Sequence, residues 1–235
     1  MSHIVELLAV GTELLLGNTA NTDAQMLSQE LSALGLNVYY HSVVGDNPER
    51  LRRAVELAMS RADVLITTGG LGPTCDDLTK RVVAEAFGKK LVYHSECARA
   101  IRDYFAVSGR VMTDNNLQQA WLPEGCTILE NRWGTAPGCA FQSGENYVVM
   151  LPGPPRECLP MFREEAAPWL ARLSEGVIRS RTLRVFGWGE SQVESLLRER
   201  MDGLTNPTLA PYAKEGEMEL RVTAKAVDER TAEAL

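Results

Sequence analysis

The stretch Val64-Leu-Ile-Thr-Thr-Gly-Gly-Leu-Gly-Pro-Thr-Cys-Asp-Asp77 decides how the chain is read. Val64 to Thr68, apolar and β-branched, suit a buried strand. Gly69, Gly70 and Gly72 follow, more glycine than a strand-to-helix turn requires. Asp76 and Asp77 stand where the next helix should begin. Backbone N–H groups laid bare by glycine, beside the electropositive end of a helix, can cradle a phosphate. The plain alternative is a tight turn with one Asp as N-cap; that leaves the second Asp unexplained. Carboxylates do not hold phosphate themselves. The pair points to a divalent cation, a ribose hydroxyl or general-base work beside the phosphates. Two carboxylates about 4 Å apart repel by roughly 4 kcal/mol at an effective dielectric near 20. A divalent cation removes that conflict, and oxygen ligands suit Mg²⁺, Mn²⁺ or Co²⁺ better than a structural zinc.

The same rhythm extends outward. Ile4 to Val10 reads as a buried strand, and Gly11 to Gly17 as a glycine-bounded loop. Thr22 and Gln25 have capping-box spacing at the start of a helix that carries Leu27, Leu31 and Leu34 and stops at Gly35. Asn37 to Val44 is a second strand. Asn47 caps the next helix, with Pro48 at its first position. Asp77 to Phe87 is expected as the third helix. These β-α crossovers predict parallel strands and an α/β, doubly wound, mostly parallel sheet. Ligands of such sheets lie beyond the carboxyl ends of the strands. Glu13, Asp46 and the Gly69–Asp77 loop all fall there.

Downstream, helices are expected over 95–107, 114–120 and 156–170, and strands over 126–131, 138–142 and 147–151. Ser174-Glu-Gly176 reads as a linker. After it, strands over 182–186, 208–212 and 218–226, the last two joined by a Lys-Glu-Gly turn at 214–216, and a helix over 190–201 form a small α+β unit. The expected domains are residues 1–173 and 177–235. Asp228 caps a last helix that is unfinished at Leu235, which suggests a chain that continues.

Composition narrows the function. The chain has 235 residues, a formal charge of −7 and 45% hydrophobic residues. The acidic balance argues against general nucleic-acid binding. No apolar run reaches the ~20 residues of a membrane span, and Met1 to Glu6 show no leader signal, so a cytoplasmic protein is expected. Five widely spaced cysteines with no CxxC pair argue against a disulfide framework or zinc knuckle.

Several motifs together carry a resemblance. They are Gly11-Thr-Glu-Leu-Leu-Leu-Gly17, Asn18-Thr-Ala-Asn-Thr-Asp23, Val44-Gly-Asp-Asn47, Thr68 to Thr74 with Asp76-Asp77, Asn115-Asn116, Gly134-Thr-Ala-Pro-Gly138 and Leu151-Pro-Gly-Pro-Pro-Arg-Glu157. In this order they resemble the amino-terminal part of the competence/damage-inducible CinA family over residues 3–170. Asn206 to Lys214 resembles that family's small, KH-like middle domain. The resemblance implies a molybdopterin-binding fold of the MoaB/Mog type, metal-dependent ADP-ribose pyrophosphatase activity and a homodimer. The carboxy-terminal amidohydrolase domain of longer family members lies outside this chain, and its activity is not carried over.

The resemblance also assigns roles. Thr68, Gly69, Gly70, Gly72 and Thr74 match the phosphate loop. Asp77 and Asp46 match acidic positions, so Asp77, Asp46 and Glu13 are catalytic candidates and Asp76, Asp77 and Asp46 metal candidates. Asn18, Asn21 and Asp23 suit a ribose or adenine, or serve only as loop and cap residues. Thr135 and Gly153 are ligand-contact candidates. Arg156 suits a phosphate or a surface pair with Glu157. Lys80 either reaches a phosphate or is solvated. Alternatives of another class are a molybdopterin adenylyltransferase and a non-catalytic nucleotide or pterin binder. No GXXG loop with flanking basic residues is present, so RNA is not an expected partner.

Overall fold

The computed structural model describes residues 3–173, 176–214 and 217–235. Residues 174–175 of the expected 174–176 linker and 215–216 of the expected 214–216 turn lie outside them. The described residues fall into two compact units, one within 3–173 and one within 176–235, with 32–35 grouped with the second.

The first unit is built on a six-stranded sheet. Strands β1 (Ile4–Val10), β2 (Asn37–Val44), β3 (Val64–Thr68), β6 (Thr127–Leu129), β7 (Gly138–Ser143) and β8 (Asn146–Leu151) lie in the order β2-β1-β3-β8-β7-β6. The remaining two, β4 (Leu91–Tyr93) and β5 (Trp121–Pro123), form a separate antiparallel ladder. In the main sheet β2, β1, β3 and β8 run parallel, and β7 opposes both β8 and β6. The mostly parallel sheet is as expected. The small ladder is not, because three-residue strands carry no periodic signal.

The helices follow apolar periodicity. Helix α2 (Thr22–Ala33) buries Leu27 and Leu31, and α3 (Pro48–Met59) buries Leu51, Val55 and Ala58. The Asn47 side chain accepts from Arg50 N–H at 3.0 Å, the expected cap. The capping-box reading of Thr22 and Gln25 is corrected: Asn21 Oδ1 accepts from Ala24 N–H at 3.2 Å. Two further segments differ from expectation. Residues 12–15, read as loop, form a short helical turn α1, and α4 spans Thr79–Ala86, two residues later than expected. Asp76 and Asp77 therefore lie in the turn before α4. After α5 (Ser95–Ser108), the segment Asp114–Ala120 is a 3₁₀ helix rather than an α-helix. The closing helix runs as α6 (Pro155–Met161), a π-helical turn (Phe162–Ala166) and α7 (Ala167–Ala171).

A carboxylate lies within the buried sheet. Glu6, in the middle of β1, is fully buried. Its two oxygens take a fork from Arg61, each at 2.8 Å, and Ser42 Oγ donates to Oε1 at 2.6 Å. A buried carboxylate is tolerated only with such pairing.

The second unit has an antiparallel sheet β10-β11-β9 from β9 (Val177–Val185), β10 (Thr208–Lys214) and β11 (Glu217–Ala226). Val193 on α8 (Glu190–Gly203) packs on Met218 and Leu220. Asp228 caps α9 (Glu229–Ala234), accepting from Thr231 N–H at 2.7 Å. No described helix is long and apolar enough to cross a membrane, and the five cysteines are unpaired.

Candidate functional site

The register of the parallel strands puts four loops at one level. Val10 pairs with Val44, Ala9 with Thr68, and Thr68 with Leu151. The chain then leaves the sheet at Gly11, Gly45, Gly69 and Pro152. Gly11 N–H donates to Val44 O and Gly69 N–H to Leu151 O, at 2.9 and 3.1 Å, so the ladder continues into the loops. Around them opens a cavity of about 580 Å³.

The glycine turn has the backbone form that its composition requires. Gly69 and Gly70 have φ of +91° and +66°, a region open to glycine. A Cβ on Gly69 would stand 2.2 Å from Val10 O, and one on Gly70 2.1 Å from Thr79 Oγ. Thr79, fully buried at the head of α4, braces the turn by donating from Oγ to Gly69 O at 2.8 Å.

Acidic side chains surround this turn. Glu13, Asp46, Asp76, Asp77 and Glu157 line the cavity; no Lys, Arg or His does so among the described residues. Two are held by a threonine. Asp77 Oδ2 accepts from Thr74 N–H at 2.8 Å and Thr74 Oγ at 2.5 Å. Asp46 Oδ2 accepts from Thr12 N–H at 2.8 Å and Thr12 Oγ at 2.7 Å, which fastens the α1 turn to the end of β2. In both, these bonds leave Oδ1 for a ligand. Thr74 and its own backbone N–H keep the exposed Asp76 carboxyl below the usual carboxylate range.

The acids also sit on glycines. A Cβ on Gly11, Gly72 or Gly134 would come within 2.4 Å of a carboxylate oxygen of Glu13, Asp77 or Glu157 respectively. Only glycine lets these charges lie against the backbone where they do.

Gly69, Gly70, Gly72, Thr74, Thr135 and Gly153 line the cavity with the acids. Gly153 also permits a backbone approach, since its Cβ would be 3.2 Å from Gly69 Cα. Three expected ligand contacts fall elsewhere. Thr68 is buried at the end of β3, Asn18 is exposed outside the lining, and Asn21 is the cap of α2. Thr19 lines the cavity in their stead. Lys80 is neither solvated nor at the cavity. It is 6% exposed and donates to Gln118 O and Gln119 O at 3.3 and 3.0 Å; burial pulls its pKa down to about 8. Arg156 is exposed and lies 3.7 Å from Glu157.

The sequence reading missed Glu157 and Gln119. Gln119 is 1% exposed, lines the cavity, and its Oε1 has no hydrogen-bond partner. Asn115 Nδ2 donates to Pro73 O at 3.2 Å and, with Lys80, ties the 3₁₀ segment carrying Gln119 to the glycine loop.

Asp23 lies on α2, outside the cavity lining, 7% exposed and with Oδ1 unpartnered. Burial pushes its carboxyl up from 3.8 to about 6. Between those values the folded chain binds more protons than the unfolded one. The contribution is full below the lower value and lost as pH rises through the upper. Thermal midpoints of the native chain and Asp23→Asn, taken at acidic and neutral pH, should diverge in favour of Asn as pH rises; a pH-independent gap would contradict this.

The five cavity carboxylates are oxygen donors of the type a hard divalent ion takes, with Arg156 3.7 Å from Glu157. Among the described residues no three His, Cys, Asp or Glu are grouped to hold such an ion by themselves.

Residues 6–172 match the family model described as a probable molybdopterin binding domain, and residues 180–235 the damage-inducible protein CinA KH domain. A CinA-like protein of Dictyoglomus thermophilum is 52% identical over 230 residues, 98% of this chain and 56% of the relative. A Clostridium acetobutylicum protein bearing the competence-damage inducible name is 53% identical over 228 residues, 97% of this chain and 56% of its own. The crystal structure of the protein CinA from Thermoplasma acidophilum superposes with a TM-score of 0.65 at 30% identity, over 71% of this chain and 98% of that one. The chain spans about half the length of the curated relatives it matches. It belongs to the CinA family, with a probable molybdopterin-binding domain followed by the family's KH domain.

Proposed function

We propose that the first unit hydrolyses the diphosphate of ADP-ribose to AMP and ribose 5-phosphate in the presence of Mg²⁺, Mn²⁺ or Co²⁺. One observation carries this reading: a glycine turn able to cradle phosphate faces five carboxylates, with no basic side chain in the cavity lining. An anionic diphosphate is repelled by such a field unless cations accompany it, which supports a metal-dependent reading.

Asp77, with Asp76 or Asp46, would hold the ion through the oxygens their threonines leave open. A bound divalent ion neutralises phosphate charge and acidifies a water. The backbone N–H groups of the Gly69–Gly72 turn would stabilise charge developing on the phosphate under attack. Thr135, Thr19 and Gln119 also line the cavity and would offer two hydroxyls and an acceptor to the rest of the nucleotide.

The purified chain is expected to release AMP from ADP-ribose with one of these metals and to stop on addition of EDTA. No release with any of the three ions, from folded protein, removes the hydrolase reading. The family's molybdopterin-binding description favours a second one. A melting shift with molybdopterin and none with ADP-ribose would select it.

A further inference from the structure

The five cavity carboxylates are not equivalent. Glu13 and Asp76 are exposed, and Asp46 and Asp77 are half-buried, each with one oxygen committed to a threonine. Glu157 alone of the five is buried. It projects from the first turn of α6. Its Oε2 accepts from Asn131 Nδ2 at 2.9 Å. The same amide nitrogen donates to Ala136 O at 2.9 Å, and Asn131 Oδ1 accepts from Trp133 N–H at 3.0 Å. Asn131 thus fastens Glu157 to the loop that carries Thr135. Beneath the carboxylate lies Gly134, where a Cβ would fall 1.9 Å from Oε2. The other oxygen, Oε1, has the exposed Arg156 3.7 Å away.

A loop fastening needs one acceptor oxygen, which an amide supplies as well as a carboxylate. The charge of Glu157 is left over. It is desolvated, oriented by a bond to one oxygen, and set in a cavity wall, as a proton acceptor must be. We propose that Glu157 is the general base of the hydrolysis, and this rests on the hydrolase reading above. Oε1 takes a proton from the attacking water. The water oxygen bonds to one phosphorus, the bridging P–O bond breaks, and the leaving phosphate keeps the electron pair. The proton then passes from Oε1 to solvent or product. Asn131 acts as a positioning residue that holds Oε2, so that Oε1, with the exposed Arg156 3.7 Å away, is the oxygen that takes the proton.

Glu157→Gln keeps the shape and an oxygen for Asn131 while removing the proton acceptor. The measurement is AMP release from ADP-ribose across neutral and alkaline pH, with KM and thermal midpoint, for the native chain and the variant. Glu157→Gln is expected to lower kcat by about 10²–10⁴-fold with KM and midpoint unchanged. Its residual rate should climb about tenfold per pH unit, as hydroxide replaces the base. Turnover equal to native overturns the role. Loss of KM and midpoint along with kcat also overturns it, and assigns Glu157 to holding the loop. Should Glu157→Gln not fold, Glu157→Ala decides: added formate restores turnover if a base is missing, and failure to do so counts against the proposal. A native chain inactive with every metal fails at an earlier point, before any variant is compared, and takes the hydrolase reading and this role with it.

Discussion

Asp77→Ala is expected to lose the proposed metal-dependent AMP release while the chain still folds. Asp77 is half-buried at the cavity wall, and its replacement leaves no core void, so the thermal midpoint should move little. The chemistry should not survive. Oδ2 fixes the Thr74 corner of the glycine loop, and the open oxygen is the proposed cation ligand. Removing one preorganised charge-stabilising group costs about 10²–10³-fold in kcat, or roughly 3–4 kcal/mol of transition-state stabilisation. Asp77→Asn separates the two roles, since it can still accept from Thr74 but binds the ion weakly. Steady-state AMP release under saturating Mn²⁺ measures the effect. Native turnover in a folded Asp77→Ala protein would remove Asp77 from the mechanism.

Gly69→Ala should have the largest effect on stability in the loop. At φ +91° an L-residue is strained, at roughly 1–2 kcal/mol. The added Cβ would also meet Val10 O at 2.2 Å, and a backbone carbonyl of a central strand cannot swing aside. Val10 in turn is held by its register with Val44. The two terms together exceed about 3 kcal/mol, a large share of the ~5–15 kcal/mol that holds a typical domain folded. Urea denaturation should show a midpoint far below native. A midpoint equal to native would mean that the turn has another backbone form.

Much of this was legible in the sequence, for physical reasons. Buried parallel strands need near-continuous apolar runs, so β1 and β3 stand out, and the Leu27–Leu31 spacing of α2 marks its inner face. Once the strands are placed, topology alone brings Glu13, Asp46 and Asp77 to one end of the sheet. Legibility fails where a residue's role comes from a distant partner. Glu157 follows Arg156 and reads as half of a surface pair; its burial depends on Asn131 and Gly134, on another loop. Lys80 and Gln119 depend on the 114–120 segment, expected as an α-helix, which takes the 3₁₀ form and so turns different groups toward α4 and the cavity. Asn21 illustrates a local contest: Thr22 has capping-box spacing, yet Asn21 Oδ1 reaches Ala24 N–H and caps instead. The β4–β5 ladder is too short to leave a pattern.

The glycines beneath the acids differ in kind from Gly69. At Gly11, Gly72 and Gly134 the space a Cβ would take is filled by the end of a carboxylate side chain, not by backbone. A methyl group there would push a charge aside without breaking the fold. Each of these pairs is thus a two-residue unit, and a library that varies the glycine alone would collect folded, inactive chains. Varying the glycine and its acid together would reveal the tolerance that single changes hide. Folding yield would be a poor guide to these positions, because they record where negative charge must rest.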